Sequence, residues 1–194
     1  MSRLAPITLL LLTCLLSGCE TLFIAGAATG ASAAQDRRDL STQIDDEKTE
    51  LKSFSTIFQD DELWKDTNIS VVSFNNVVLI VGQAPTATLK QKATDEIKKI
   101  AQERKVHNQI RLAAPISFYA KRNDEFLTSK VKTSMFFTSE FPSGKIKVVT
   151  ENSEVFLMGL VTQEEADKAV EITRNISGVK KVVKVFEYIA QGES

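Results

Sequence analysis

Cysteine is nearly absent from this 194-residue chain, and both copies, Cys14 and Cys19, lie in its first nineteen residues. Whatever folds beyond them has no thiol for a disulfide or a thiolate metal site. Histidine occurs once, at His107. One histidine without a free thiol can hardly assemble a nucleophile triad or a zinc centre, so the composition points to no catalytic residue, no metal and no cofactor. A charge excess of either sign is also missing: 24 basic residues face 25 acidic ones, a net charge of −1. Nucleic-acid binding would need a concentrated basic field. No apolar run reaches the roughly 20 residues that span a bilayer, since Leu22 to Ala34 is Ala/Gly-rich, short and interrupted. The acidic groups Asp45-Asp46 and Asp60-Asp61-Glu62 have no histidine or second carboxylate cluster to form an acid/base pair. They read as solvated or helix-capping groups, and His107, within Val106-His107-Asn108, reads as a structural strand residue.

What the chain does have begins at its N-terminus. Arg3, the apolar stretch Ile7 to Leu16 and the run Leu16-Ser17-Gly18-Cys19 make a secretory signal with a small-residue cut site. The cysteine just after the cut predicts a lipoprotein, with acyl chains on Cys19 as the new first residue. Residues 1–18 are then the signal peptide, leaving 194 − 18 = 176 residues, enough for one ordinary domain or two small ones. Residues 19–44 are expected to form the lipidated N-terminus and a tether, the latter centred on Thr21 to Gln35.

The rest of the chain is duplicated. Ile69-Ser70-Val71-Val72-Ser73-Phe74-Asn75-Asn76-Val77-Val78-Leu79-Ile80-Val81-Gly82 aligns without a gap to Ile146 through Gly159, at an offset of 77. Each copy reads as two strands around an asparagine-containing turn, because Asn tolerates the positive φ of a tight hairpin. A helix follows each hairpin, at Thr86 to Ala101 and Gln163 to Ile176, and then a strand, at Val106 to Leu112 and Val179 to Tyr188. Pro85 and Thr162-Gln163-Glu164-Glu165 suit the two helix starts. A further helix precedes each hairpin, at about Asp45 to Phe58 and Glu125 to Phe137. The predicted fold class is α+β: two tandem αββαβ units at 45–114 and 125–191, each with two helices on one face of a small mixed sheet, joined by a linker at 115–124. Gly82 and Gly159 end equivalent strands and are expected to be structural, where a backbone approaches closely.

These repeated hairpins ending in glycine, with the Gly178-Val179-Lys180-Lys181-Val182-Val183 strand start, resemble the BON domain family. Two such units behind a lipidation signal are similar to its outer-membrane lipoproteins. The segments Thr42 to Asp46, Val106 to Arg111 and Thr150 to Thr162 extend the match over nearly the whole mature chain. The resemblance implies attachment at the inner leaflet of the outer membrane, binding to anionic phospholipid through the first helix of the second unit, and a role in envelope integrity. Glu20 is not the Asp that, in that setting, tends to hold lipoproteins at the inner membrane. Where such relatives carry a tryptophan at the start of the lipid-facing helix, this chain has Phe126, which lacks the polar N–H suited to headgroups.

The two leading helices also differ on their own terms. In the first, Ile44, Leu51, Phe54 and Phe58 fall in one stripe, which a single buried face explains. Its setting is acidic, with five basic and ten acidic residues between Asp36 and Asp66. Trp64 reads as a packing residue there. In the second, Leu127, Val131 and Met135 suffice for a core face, yet Phe126, Phe136 and Phe137 lie elsewhere beside Lys130, Lys132 and Thr133, and Phe141 follows in the loop. Lys121 to Lys147 holds six basic and three acidic residues. Aromatics beside lysines suit an interfacial membrane contact. The candidate lipid-binding set is therefore Phe126, Lys130, Lys132, Thr133, Phe136, Phe137 and Phe141. The same phenylalanines could instead pack against the first unit, or dock an envelope protein as an adaptor would, through them or an open sheet edge. Oligomeric state is left open by the sequence.

Overall fold

The run Val77-Val78-Leu79-Ile80-Val81 lacks polar alternation, and such a strand is buried on both faces. The computed structural model, which describes residues 36–190, places it at the centre of the first unit. The signal peptide, Cys19 and the Thr21–Gln35 tether lie outside the described residues. From Arg37 onward the chain forms one compact unit.

The elements are α1 (Leu40–Gln59), α2 (Asp61–Asp66), β1 (Asn68–Phe74), β2 (Val77–Ala84), α3 (Ala87–Ala101) and β3 (Lys105–Leu112). The second half gives α4 (Phe118–Phe136), β4 (Lys147–Glu151), β5 (Glu154–Val161), α5 (Gln163–Arg174) and β6 (Lys181–Tyr188), with a 3₁₀ turn at Ser143–Lys145. Each half is an α+β unit with a mixed three-stranded sheet, in the orders β1-β2-β3 and β4-β5-β6. The first pair in each sheet is an antiparallel hairpin, and the third strand joins parallel after its helix. Both hairpins turn on two residues of positive φ, Asn75 and Asn76 in one and Asn152 and Ser153 in the other. That geometry matches the twist of the flanking strands.

The period-two alternation of side chains divides each central strand between two cores. Val78, Ile80 and Ala84 point to the helices of their own unit, where Ile57, Ala93 and Ile97 complete the cluster. Val155, Leu157 and Val161 do the same against Val131, Met135 and Ala166. The opposite residues, Val77, Leu79 and Val81 with Phe74, meet Phe156, Met158 and Val185 of the other sheet. The two sheets therefore pack against each other and the helices cover the outside, an order of helices, sheet, sheet, helices. Each fully buried side chain of this third core contributes about 1.5–3 kcal/mol. Polar bonds rim the seam. Glu151 accepts from Asn68 at 3.1 Å and Gln83 at 2.6 Å, and Lys147 pairs with Glu50 at 2.7 Å.

Both glycines are sites of close backbone approach. A Cβ on Gly82 would lie 1.8 Å from the Asn68 carbonyl oxygen, and its φ of +122° disfavours any other residue. A Cβ on Gly159 would lie 2.7 Å from the Lys145 carbonyl oxygen, without the unusual φ.

Both leading helices start earlier than expected. Asp39 caps α1 by accepting from the Thr42 N–H at 2.6 Å, so residues 40–44, read as tether, are helical. Ser117 caps α4 in the same way, so most of the supposed 115–124 linker is its first two turns. The short α2 was not anticipated; Asp60 caps it and its Leu63 is fully buried.

The buried face of α1 is also not the one its apolar stripe suggested. Asp46, Thr49, Ser53 and Ile57 face inward, while Ile44, Leu51, Phe54 and Phe58 are exposed. Small polar residues serve there because their groups find partners. Thr49 and Ser53 donate to carbonyls one turn back, and Asp46 accepts from Ser73 Oγ at 2.7 Å and the Asn75 N–H at 2.6 Å.

Candidate functional site: the outer face of the second long helix

Helix α4 is built from two opposed faces. Leu127, Val131 and Met135 are buried in the second unit's core, and buried Asp124 holds the β4–β5 turn by accepting from the Asn152 and Ser153 N–H groups. The opposite face is aromatic and open: Phe118 is 68% exposed, Tyr119 84%, Phe126 62%, Phe136 70% and the adjacent Phe137 78%. Phe126 follows Phe118 and Tyr119 by seven to eight residues and precedes Phe136 and Phe137 by ten to eleven, whole numbers of turns that keep all five on one side of the helix.

Cations sit among these rings. The Lys130 ammonium lies 5.5 Å from the centre of the Phe126 ring and donates to the Ser177 carbonyl at 2.8 Å. The Arg122 guanidinium lies 5.5 Å from the Phe118 ring and pairs with Glu125 at 2.7 Å. Lys132 and Thr133 are exposed on the same outer half of the helix. Phe136 and Phe137 meet edge to face at 5.3 Å. Two open grooves flank the ridge. One, of about 430 Å³, runs from Lys132, Phe136 and Phe137 to Gly144 and Ile146. The other, of about 570 Å³, lies between Phe126, Lys130, Phe137 and Ile176.

Six of the seven residues proposed from sequence share this surface; Phe141 does not. It is 7% exposed and belongs to the core with Met135 and Ile146, because the chain after α4 folds back and its N–H bonds the Thr138 carbonyl. The reading in which the phenylalanines pack against the first unit does not apply to Phe126, Phe136 or Phe137, since the two halves meet through their sheets. Phe118, Tyr119 and Arg122 were missed because the helix was started too late. The available signals were Ser117, a good N-cap, and the aromatic pair Phe118-Tyr119 two helical turns upstream of Phe126.

Away from α4, the titratable groups His107, Glu151 and Glu165 are shifted by their surroundings. Burial lowers the His107 pKa on β3, with the Lys105 charge adding to the effect. Burial raises that of Glu151 at the sheet seam, against the Gln83 hydrogen bond. Burial alone would also raise Glu165, but bonds from Arg37, the Thr162 N–H and Lys145 bring it down to about 2. Among the described residues, no three His, Cys, Asp or Glu side chains converge to hold a metal ion.

Residues 45–114 and 123–190 each match the BON domain, and the protein belongs to this family as an outer-membrane lipoprotein. It is 40% identical over 177 residues to the outer membrane lipoprotein DolP of Haemophilus influenzae, covering 91% of this chain and 92% of the relative. It is 35% identical over 154 residues, 79% of both chains, to a 21 kDa hemolysin of Actinobacillus pleuropneumoniae. The osmotically-inducible protein Y of Escherichia coli is 28% identical over 146 residues, 72% of this chain and 70% of its own. No helix among the described residues is long and apolar enough to cross a membrane.

Proposed function

We propose that acyl chains on Cys19 hold this protein at the outer membrane facing the periplasm, where α4 binds anionic phospholipid and so supports envelope integrity. The observation that carries this reading is the solvent-facing aromatic ridge of α4 with Arg122 and Lys130 set among its rings. In water that ridge is left exposed by the described residues. Laid on a bilayer, Phe126, Phe136 and Phe137 would leave water for the acyl boundary, each contributing about 1.5–3 kcal/mol if fully buried. Tyr119 can place its hydroxyl among the headgroups. Each cation near an anionic leaflet adds about 1 kcal/mol, which salt weakens. The lipid anchor would keep the ridge at high local concentration, so modest intrinsic affinity suffices.

Vesicle flotation of the protein without its lipid tests the reading. Binding is expected to phosphatidylglycerol-containing vesicles and not to pure phosphatidylcholine, to fall with salt, and to be lost in Phe126→Glu and in Lys130→Glu/Lys132→Glu. Flotation of these variants with anionic vesicles as well as the parent protein would sink it. Indifference of the parent to lipid charge would favour a protein-docking role for the same ridge.

A further inference from the structure

The apolar stripe that α1 turns outward has a regular form. Its members are Leu40, Ile44, Glu47, Leu51, Phe54 and Phe58, at successive steps of four, three, four, three and four residues. Alternating steps of four and three repeat every seven residues, the pattern of the seam by which one helix meets another, narrower than the face that covers a sheet. All five apolar members are exposed, from 43% at Ile44 to 71% at Leu40. The helix joins the core of its own unit through Asp46, Thr49, Ser53 and Ile57 instead. At the C-terminal end the seam runs into an aromatic cluster: Trp64 meets Phe58 at 5.0 Å and Phe54 at 6.0 Å, both edge-on. Beside it opens a groove of about 370 Å³ lined by Phe54, Ile57, Leu63 and Trp64, large enough for an apolar side chain.

We infer that this seam docks a cationic amphipathic helix of a partner protein, one with apolar residues at matching three-and-four steps flanked by Lys or Arg. Charge selects the occupant. On α1 and α2, Asp45, Glu47, Asp61, Glu62 and Asp66 are exposed against the exposed cations Lys48, Lys52 and Lys65, of which Lys48 pairs with Asp45 and Lys65 with Asp61. The Asp36–Asp66 segment carries five basic against ten acidic residues. Glu47 within the seam would be desolvated on docking, which is tolerable only opposite a cation. An anionic bilayer is repelled by such a surface. A second copy of α1 would oppose the same charges. Helices α1 and α4 cover opposite outer faces of the sheet pair, so this surface remains available whether or not α4 is engaged with lipid.

The test is fluorescence anisotropy in lipid-free buffer with the full mature chain carrying C19S. The probe is a roughly 20-residue designed helix, as long as α1, with Leu at the seam positions and Lys at the flanks. Its twin has Glu at the flanks. The Lys probe is expected to bind at least about tenfold more tightly than the twin. Leu51→Glu and Phe58→Glu should each weaken it by about tenfold or more, as loss of a central apolar anchor does. Glu47→Lys should narrow or invert the preference, and Phe126→Glu should leave it unchanged, which separates this inference from the lipid reading. Circular dichroism of Leu51→Glu controls for folding, since that side chain is exposed. Equal binding of the two probes, or retention by the α1 variants, overturns the inference. So does a dimer in sedimentation that Leu51→Glu dissolves, which would make a second copy the occupant. Binding that appears only after deletion of residues 20–36 also overturns it, since those residues would then be what covers the seam.

Discussion

The carboxylate of Asp124 accepts the backbone N–H of Ser153 at 2.8 Å, and its second oxygen takes the N–H of Asn152 at 2.7 Å. The first unit repeats the device: Asp46 accepts from the Asn75 and Asn76 N–H groups at 2.6 and 3.3 Å. In both, a buried acid on the leading helix holds the two left-handed residues of the hairpin turn. An acidic pair that looks like a solvated helix start is thus the lock between helix and sheet.

Asp124→Ala should therefore destabilise the protein by about 1–3 kcal/mol for each turn amide it leaves without a partner. Glu125→Ala, one residue on and exposed, should stay within about 0.5 kcal/mol of the parent. Urea unfolding of both variants decides the matter, and equal midpoints would refute the lock.

Gly82→Ala should be more damaging than Gly159→Ala. Both would push a methyl group against a carbonyl oxygen, but only Gly82 combines that clash with a positive φ. Thermal melts should rank them in that order; the reverse ranking would mean that strand β1 moves aside freely.

The phenylalanines should separate into two classes. Phe141→Ala removes a core side chain and should cost about 3–5 kcal/mol. Phe137→Ala alters an exposed ring and should change stability by no more than about 0.5 kcal/mol, while weakening binding to anionic vesicles. A Phe137→Ala protein that unfolds as readily as Phe141→Ala would show that the ridge is structural.

Glu165 has a folded pKa of about 2 against an ordinary 4.5. A lowered carboxyl pKa means that the ionised form stabilises the fold, fully so above the unfolded value. That contribution should fade as pH falls from about 4.5 towards 2. Glu165→Gln should accordingly be less stable than the parent at pH 7, with the gap closing over that interval. A gap unchanged at pH 2 would assign the loss to packing rather than to the Arg37 and Lys145 bonds.

Much of this was legible in the chain. Hairpins, glycines and trailing helices depend on short-range sterics and capping, so the 77-residue repeat and residues such as Asn75, Asn152 and Thr162 carry them directly. The surplus of aromatics on α4 was legible too, because a face that already has Leu127, Val131 and Met135 needs no more. Both leading helices were started several residues late, since Asp39 and Ser117 are single N-caps without the reciprocal Glu bond that marks Thr162.

By itself the sequence determined the local elements, their duplication and the excess of apolar groups on two helices, because each follows from neighbours a few residues apart. Only the tertiary structure decided which of those groups have partners. Central strands apolar on both faces brought the sheets together and left the helices outside. Asp46, Thr49 and Ser53 could then face inward once their polar atoms were bonded, turning Leu51 and Phe58 out, while the chain after α4 folded Phe141 in. Burial is settled by contacts between segments far apart in the chain, and amphipathic spacing alone does not say which side of a helix will find them.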